Sequence, residues 1–167
     1  FGDYNVINVT QDLKYTEGTI QTAINEANSG DEIYVGAGTF NESLTIDKSI
    51  TLFGSHYATG SGQYHTVLDG QGLNSVPGIQ IAAGVSDVTI TGFEIRNFDT
   101  GGIVAQGAGI NNVAIARNYI HDVQTHGIRG GVDGAQTLSG WSVTDNTIEK
   151  FAGKGISLGN VVDSSIE

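Results

Sequence analysis

The strongest constraint in this chain is a repeat. Three segments align without gaps: Val85-Ser-Asp-Val-Thr-Ile-Thr-Gly-Phe-Glu-Ile95, Ile110-Asn-Asn-Val-Ala-Ile-Ala-Arg-Asn-Tyr-Ile120 and Leu138-Ser-Gly-Trp-Ser-Val-Thr-Asp-Asn-Thr-Ile148. Each is followed by a Gly-Ile pair, Gly102-Ile103, Gly127-Ile128 and Gly155-Ile156, and a fourth copy begins at Val161. Equivalent positions lie 25 residues apart from Ile90 to Ile115, 28 from Ile115 to Val143 and 23 from Val143 to Ile166. A unit this short cannot bury its apolar side chains alone. It must stack on its neighbours, and β-rich units punctuated by glycine turns are the signature of a β-solenoid.

Each unit reads as a coil of three short strands. The first is Val88-Thr-Ile90, Val113-Ala-Ile115 or Trp141-Ser-Val143; the second is Phe93-Glu-Ile95, Asn118-Tyr-Ile120 or Asn146-Thr-Ile148; the third starts at the Gly-Ile pair. Stacking places inward side chains in columns: Ile90, Ile115, Val143 and Ile166; Ile95, Ile120 and Ile148; Ile103, Ile128 and Ile156. Asn118 and Asn146 share a position at a sharp bend, where asparagine tolerates unusual backbone angles and stacked copies can hydrogen-bond, so they are read as structural.

Ahead of the repeat, residues 19–28 are the one good helix. Ile20, Ala23, Ile24 and Ala27 make a single apolar stripe, with Thr19 as N-cap and Gly30 as stop. Such a helix is expected to cover the open end of the first coil. Tyr4, Val6, Ile7 and Val9 alternate as an edge strand would. Strands are expected at Ile33–Val35, Leu44–Ile46, Ile50–Leu52, Val67–Asp69 and Ile79–Ile81, with a turn at Gly36-Ala-Gly38 and a long polar loop at 54–66. The whole is one all-β domain, 1–167: a cap to residue 30, irregular first coils over 31–84, and regular coils over 85–167.

Composition fits and narrows this. Twenty-five glycines against one proline suit a body of continuous strand ladders. Eighteen acids against seven bases give a net charge of -11, which argues against nucleic acid and against docking on an anionic membrane. There is no cysteine, so disulfides and thiolate metal sites are excluded. No apolar run approaches the ~20 residues of a membrane span. The chain begins Phe1-Gly-Asp-Tyr4 and stops inside the fourth copy, so it is expected to be the N-terminal part of a longer solenoid. Alternatively, its open edge pairs end to end with a second chain.

The run from Thr19 through Asn28-Ser-Gly-Asp-Glu-Ile-Tyr-Val-Gly-Ala-Gly-Thr-Phe40 to Gly54 resembles the N-terminal cap and first coils of the pectate-lyase-like superfamily. The later Asn-x-Ile and Gly-Ile positions resemble its generic parallel β-helix repeats. The resemblance implies a right-handed parallel β-helix, an extracellular or cell-surface location and polysaccharide as partner. It does not select one activity, because the superfamily includes lyases, esterases, epimerases, tailspikes and adhesins.

Lyases of that superfamily set acidic Ca²⁺ ligands and a basic side chain on one sheet. A uronate carboxylate must be neutralised before a base can take the neighbouring proton. Here the outward residues of the first strand are Thr51, Thr89, Ala114, Ser142 and Ser165, a small neutral face that could pack on another surface or order water as ice-binding solenoids do. The second strand is richer, with Glu94, Tyr119 and Thr147 beside Arg96, His121 and Glu149. The densest chemistry is Tyr119-Ile-His-Asp-Val-Gln-Thr-His-Gly-Ile-Arg129. Tyr119, His121, Asp122, His126 and Arg129 are the candidate catalytic set, and Arg96, Tyr119, His121 and Arg129 the candidate polysaccharide contacts. The competing reading is that His121 and Arg96 are exposed ladder residues paired with Glu94 or Glu149, and that His126 is an ordinary corner residue. Asp69 and Asp133 sit in glycine loops and are the candidate Ca²⁺ ligands, although neither matches a Ca²⁺-loop spacing. Asn8-Val-Thr10 and Asn41-Glu-Ser43 match the glycosylation acceptor pattern.

Two functions remain open on these residues. One is a non-catalytic scaffold, adhesin or polysaccharide-binding module. The other is the N-terminal part of a uronate polysaccharide lyase or C5-epimerase.

Overall fold

The computed structural model describes residues 5–15, 19–55, 65–131 and 137–167. It is a parallel β-solenoid with one short helix. The chain opens with β1 (Val6–Asn8), β2 (Leu13–Tyr15) and α1 (Ile20–Glu26). The first rung is β3 (Glu32–Val35), β4 (Gly38–Phe40) and β5 (Leu44–Ile46); the second is β6 (Thr51–Gly54), β7 (Thr66–Asp69) and β8 (Ile79–Ile81). The third is β9 (Val88–Thr91), β10 (Phe93–Arg96) and β11 (Ile103–Ala105); the fourth is β12 (Val113–Ala116), β13 (Tyr119–Val123) and β14 (Ile128–Gly130). After β15 (Thr137–Ser139) come β16 (Ser142–Thr144), β17 (Thr147–Phe151) and β18 (Ile156–Leu158), then β19 (Asn160–Val162) and β20 (Ser165–Ile166).

Strands of like position stack into three sheets. Sheet A runs β2-β1-β3-β6-β9-β12-β16-β20, sheet B runs β4-β7-β10-β13-β17 and sheet C runs β5-β8-β11-β14-β18. The register follows the apolar columns. Leu52, Ile90, Ile115, Val143 and Ile166 align in sheet A, Leu68, Ile95, Ile120 and Ile148 in sheet B, and Ile79, Ile103, Ile128 and Ile156 in sheet C. Most of these side chains are sealed from solvent, because a one-residue slip would turn a whole column outward.

The Gly-Ile pairs that face a further rung have a steric cause. A Cβ on Gly102 would lie 2.5 Å from Ile120 Cγ2 and 2.6 Å from the Gly127 carbonyl oxygen of the next rung, and Gly127 is held the same way against Ile148 and Gly155. Corners have a conformational cause. Left-handed residues recur in three stacks: Asp87, Asn112, Gly140 and Asp163 before sheet A strands, Gly92, Arg117 and Asp145 between sheets A and B, and Asn97, Asp122 and Lys150 at the far end of sheet B. The left-handed residue therefore precedes Asn118 and Asn146 rather than being the asparagine itself. The asparagines act by hydrogen bonding: Asn118 Oδ1 accepts from Phe93 N at 3.0 Å, and its Nδ2 donates to Ile90 O and Asn146 Oδ1, both at 3.1 Å.

The helix is shorter than the expected 19–28. Thr19 is its N-cap, with its side chain accepting from Thr22 N at 3.1 Å, but Ala27 is already extended and ends it. The Asp31 carboxylate gathers Asn28 N, Asn8 Nδ2 and Gln11 Nε2, which draws the chain off the helix before Gly30. Ile20, Ala23 and Ile24 are fully buried on the first rung. Each isoleucine contributes about 2–3 kcal/mol of apolar burial. The Glu42 carboxylate accepts from Ile20 N and Gln21 N at the start of α1, and Lys48 Nζ donates to the Ile24 and Asn25 carbonyls at its end.

Three further departures have local reasons. The edge strand is an antiparallel hairpin, β1 with β2, and β1 pairs antiparallel with β3; Tyr4 lies outside the described residues. The expected turn at Gly36-Ala-Gly38 ends earlier, since Gly38 already pairs with Thr66 in sheet B. The 28-residue spacing carries an additional strand, β15, which pairs with β19. Part of the expected 54–66 loop, residues 56–64, is outside the described residues.

Candidate functional site

Sheet B concentrates charge because two of its outward columns are polar. Val67, Glu94, Tyr119 and Thr147 form one; Asp69, Arg96, His121 and Glu149 form the other. Glu94 is the hub. Its carboxylate meets Arg96 Nη1 at 2.8 Å, His121 Nε2 at 3.1 Å and His65 Nε2. Arg96 Nε also donates to Asp69 Oδ2 at 2.9 Å, and Asp69 Oδ1 accepts from Asn97 Nδ2 at 2.9 Å and Gln71 N at 3.0 Å. On the other side, His121 Nδ1 lies 2.6 Å from Asp122 Oδ2, the Tyr119 ring stacks on His121 with centroids 4.3 Å apart, and Tyr119 OH donates to Glu149 at 2.5 Å.

The electrostatics follow from this closure. Burial pushes the Glu94 carboxyl upward, but hydrogen bonds from His121 and His65 and the Arg96 charge outweigh it and hold it below its ordinary value. Asp69 is likewise held down: burial raises it, and Asn97, Gln71 N and Arg96 more than offset that. Asp122 is lowered first by its bond to His121, against the opposing effect of desolvation, and then by the charges of Lys150 and Arg96. Arg96 is pushed further up by its two carboxylates, although burial works the other way.

The candidate catalytic set is divided. Tyr119, His121 and Asp122 come together with Arg96 on sheet B. His126 and Arg129 lie past the corner, with Arg129 in an outward column of sheet C beside Val104 and Ser157. Burial lowers the His126 pKa, with the Arg129 and Lys154 charges adding to it, and its Nδ1 is buried without a hydrogen-bond partner among the described residues. His121 and Arg96 do pair with Glu94, as the ladder reading expects, but not with Glu149. His121 is also not exposed: it is 8% accessible and Glu94 only 4%. Both imidazole nitrogens of His121 face carboxylates, and Arg96 spends Nε on Asp69 and Nη1 on Glu94, so both side chains are already engaged by the protein's own carboxylates.

Asp69, a candidate Ca²⁺ ligand, has its carboxylate committed to Arg96, Asn97 and Gln71 N. Asp133, the other, lies outside the described residues. Among the described residues no three acidic or histidine side chains are arranged to hold a metal ion. The two glycosylation-pattern asparagines are engaged in the fold: Asn8 is buried with its Nδ2 on Asp31, and Asn41 Nδ2 donates to the Asp69 and Gln71 carbonyls at 2.7 and 3.0 Å.

The corner between sheets B and C holds what the motif search missed. A polar concavity of about 410 Å³ is lined by residues that include Gln71, Asn74, Asn97, Asp99, Asp122 and Gln124. A second, of about 520 Å³ and more apolar, lies across the 70–76 segment against Gln21, Glu42, Leu73 and Val76. Of these residues the sequence had singled out only Asp122, as a candidate catalytic residue, and Asn41-Glu42-Ser43, as a glycosylation pattern, because the corner gathers residues from different rungs. The readable signal was the 27-residue offset from Asp69 to Arg96, which extends the repeat one unit upstream.

No family model, curated protein or solved structure matches this chain.

Proposed function

We propose that this chain is a module of a secreted or cell-surface β-helix protein, and that it binds polysaccharide without altering it. The observation carrying this reading is the closure of the charge network. Arg96 is held by Asp69 and Glu94 and His121 by Glu94 and Asp122, while His126 and Arg129 stand apart from them. A general base needs a lone pair facing substrate, and a uronate clamp needs a cation not already spent. The resemblance of Thr19–Gly54 and the Gly-Ile repeats to the pectate-lyase-like superfamily supports polysaccharide as the partner, and the solenoid supplies the long, rigid surface such a polymer needs.

A second reading, a lyase or C5-epimerase acting on a uronate polymer, draws on the stacked Tyr119–His121 pair. One set of measurements separates the two. The protein is run in native gels cast with soluble polysaccharides, and incubated with alginate and pectate while ultraviolet absorbance and NMR are followed. Retardation with no unsaturated product and no epimer is the expected result. Turnover that disappears in His121→Ala would establish the enzyme instead, and no retardation in any gel would remove the binding proposal.

A further inference from the structure

Resting on the glycan-binding reading, we infer that the ligand lies along the stack of corners between sheets B and C. We further infer that it is a neutral, hydroxyl-rich chain rather than a polyuronate. The corner segments come from successive rungs: 41–43 follows β4, 70–77 follows β7, 97–100 follows β10 and 122–124 ends β13. The two concavities meet across a shared ridge, Gly72, Leu73 and Asn74, so they form one interrupted groove parallel to the solenoid axis. Four rungs are three steps of about 4.8 Å, a run of about 14 Å. That shape suits consecutive units of a linear polymer, with the ridge seated between two of them.

The lining chemistry selects the class. No lysine, arginine or histidine lines either concavity, whereas Glu42, Asp99 and Asp122 do. On a chain of net charge -11, a uronate carboxylate placed here would meet like charge with no cation among the lining side chains. Sugar hydroxyls are a better match, since amides both donate and accept and carboxylates accept from neighbouring hydroxyls. Among the described residues no protein group bonds with the side-chain amides of Gln71, Asn74 or Gln124, and all three are exposed. Leu73 and Val76 offer an apolar patch for the C–H face of a ring.

The groove is also built in advance. Asp99 accepts from Ser75 N at 2.7 Å and Val76 N at 3.2 Å, Asp69 accepts from Gln71 N, Asn41 Nδ2 donates to the Asp69 and Gln71 carbonyls, and Ser43 Oγ donates to Pro77 O at 2.6 Å. A ridge pinned from two rungs loses little freedom on binding, which favours affinity.

Calorimetric titration with β-1,4-linked hexasaccharides of xylose, glucose and mannose, and with a galacturonate hexamer, tests the inference. The proteins are the wild type, the double variant Asn74→Ala/Gln124→Ala, and Ser157→Ala on sheet C, which lines neither concavity, each checked for an unchanged melt. At least one neutral hexasaccharide should bind at least about tenfold tighter than the galacturonate. The double variant should weaken it about tenfold or more, the loss of one or two hydrogen bonds, while Ser157→Ala leaves it unchanged. Binding that survives the double variant puts the glycan elsewhere and overturns the groove but not the module. Preference for the galacturonate overturns the neutral class. Silence from every hexasaccharide, together with no retardation in the polysaccharide gels, removes the module reading as well.

Discussion

Replacing glycine by alanine at the Gly-Ile pairs should produce a graded loss of stability that depends only on whether another rung lies alongside. None of Gly78, Gly102, Gly127 and Gly155 has a left-handed backbone, so alanine adds no conformational strain and the effect is purely one of space. At Gly102 the new Cβ would sit 2.6 Å from the Gly127 oxygen, the atom that accepts from Ile103 N at 2.9 Å, and at Gly127 it would sit 2.7 Å from the Gly155 oxygen, which accepts from Ile128 N at 2.9 Å. Relief requires the rungs to part. Overpacking costs about 1–3 kcal/mol and weakening a buried ladder bond about 1–3 more, so Gly102→Ala and Gly127→Ala should each lose roughly 4 kcal/mol. For a chain of this size that is a fall in Tm of about 8–16 °C. At Gly155 the nearest atom is a Phe151 ring carbon at 3.4 Å, ordinary contact, and Gly155→Ala should be within about 0.5 kcal/mol of the wild type. Thermal melts followed by far-ultraviolet circular dichroism read all three. Equal losses at positions 102 and 155, or a loss below about 1 kcal/mol at 102, would refute the steric account of the repeat.

Two further outcomes follow from the polar stacks. Asn118→Ala leaves Phe93 N and Ile90 O without their partner at a buried corner and should cost about 2–4 kcal/mol by chemical denaturation, whereas a loss below about 1 kcal/mol would show that water replaces the amide. Glu94, Asp69 and Asp122 all have lowered folded pKa values, so the unfolded chain binds protons first as pH falls. The stability they contribute is complete above the ordinary carboxylate range and is lost progressively as pH falls below about 4.5. Glu94→Gln should lower stability at neutral pH by about 3 kcal/mol, because Arg96 and the histidines lose their shared carboxylate, and should flatten the acid limb of a plot of melting temperature against pH; an unchanged acid limb would contradict the hub assignment.

The sequence by itself determined the solenoid, its three strands per rung and its register. Those depend on local steric rules repeated at a fixed interval: isoleucine or valine every second position, glycine where the next rung leaves no room for a Cβ, and asparagine where a corner leaves amides to bind. The helical cap was legible for the same reason, as an apolar stripe with its N-cap in place. The tertiary structure decided everything that depends on which rung faces which. Whether Tyr119–Arg129 is one cluster or two turns on the corner after Val123, which puts His121 and Arg129 on different sheets although they are eight residues apart. Whether Arg96 is a clamp or a strut turns on Asp69 and Glu94 reaching it together, one from the rung above and one from its own strand. The corner groove is the extreme case. Its residues span Thr19 to Gln124 and no single motif unites them, so the cap and the stacking of successive turns, about 4.8 Å apart, make them neighbours.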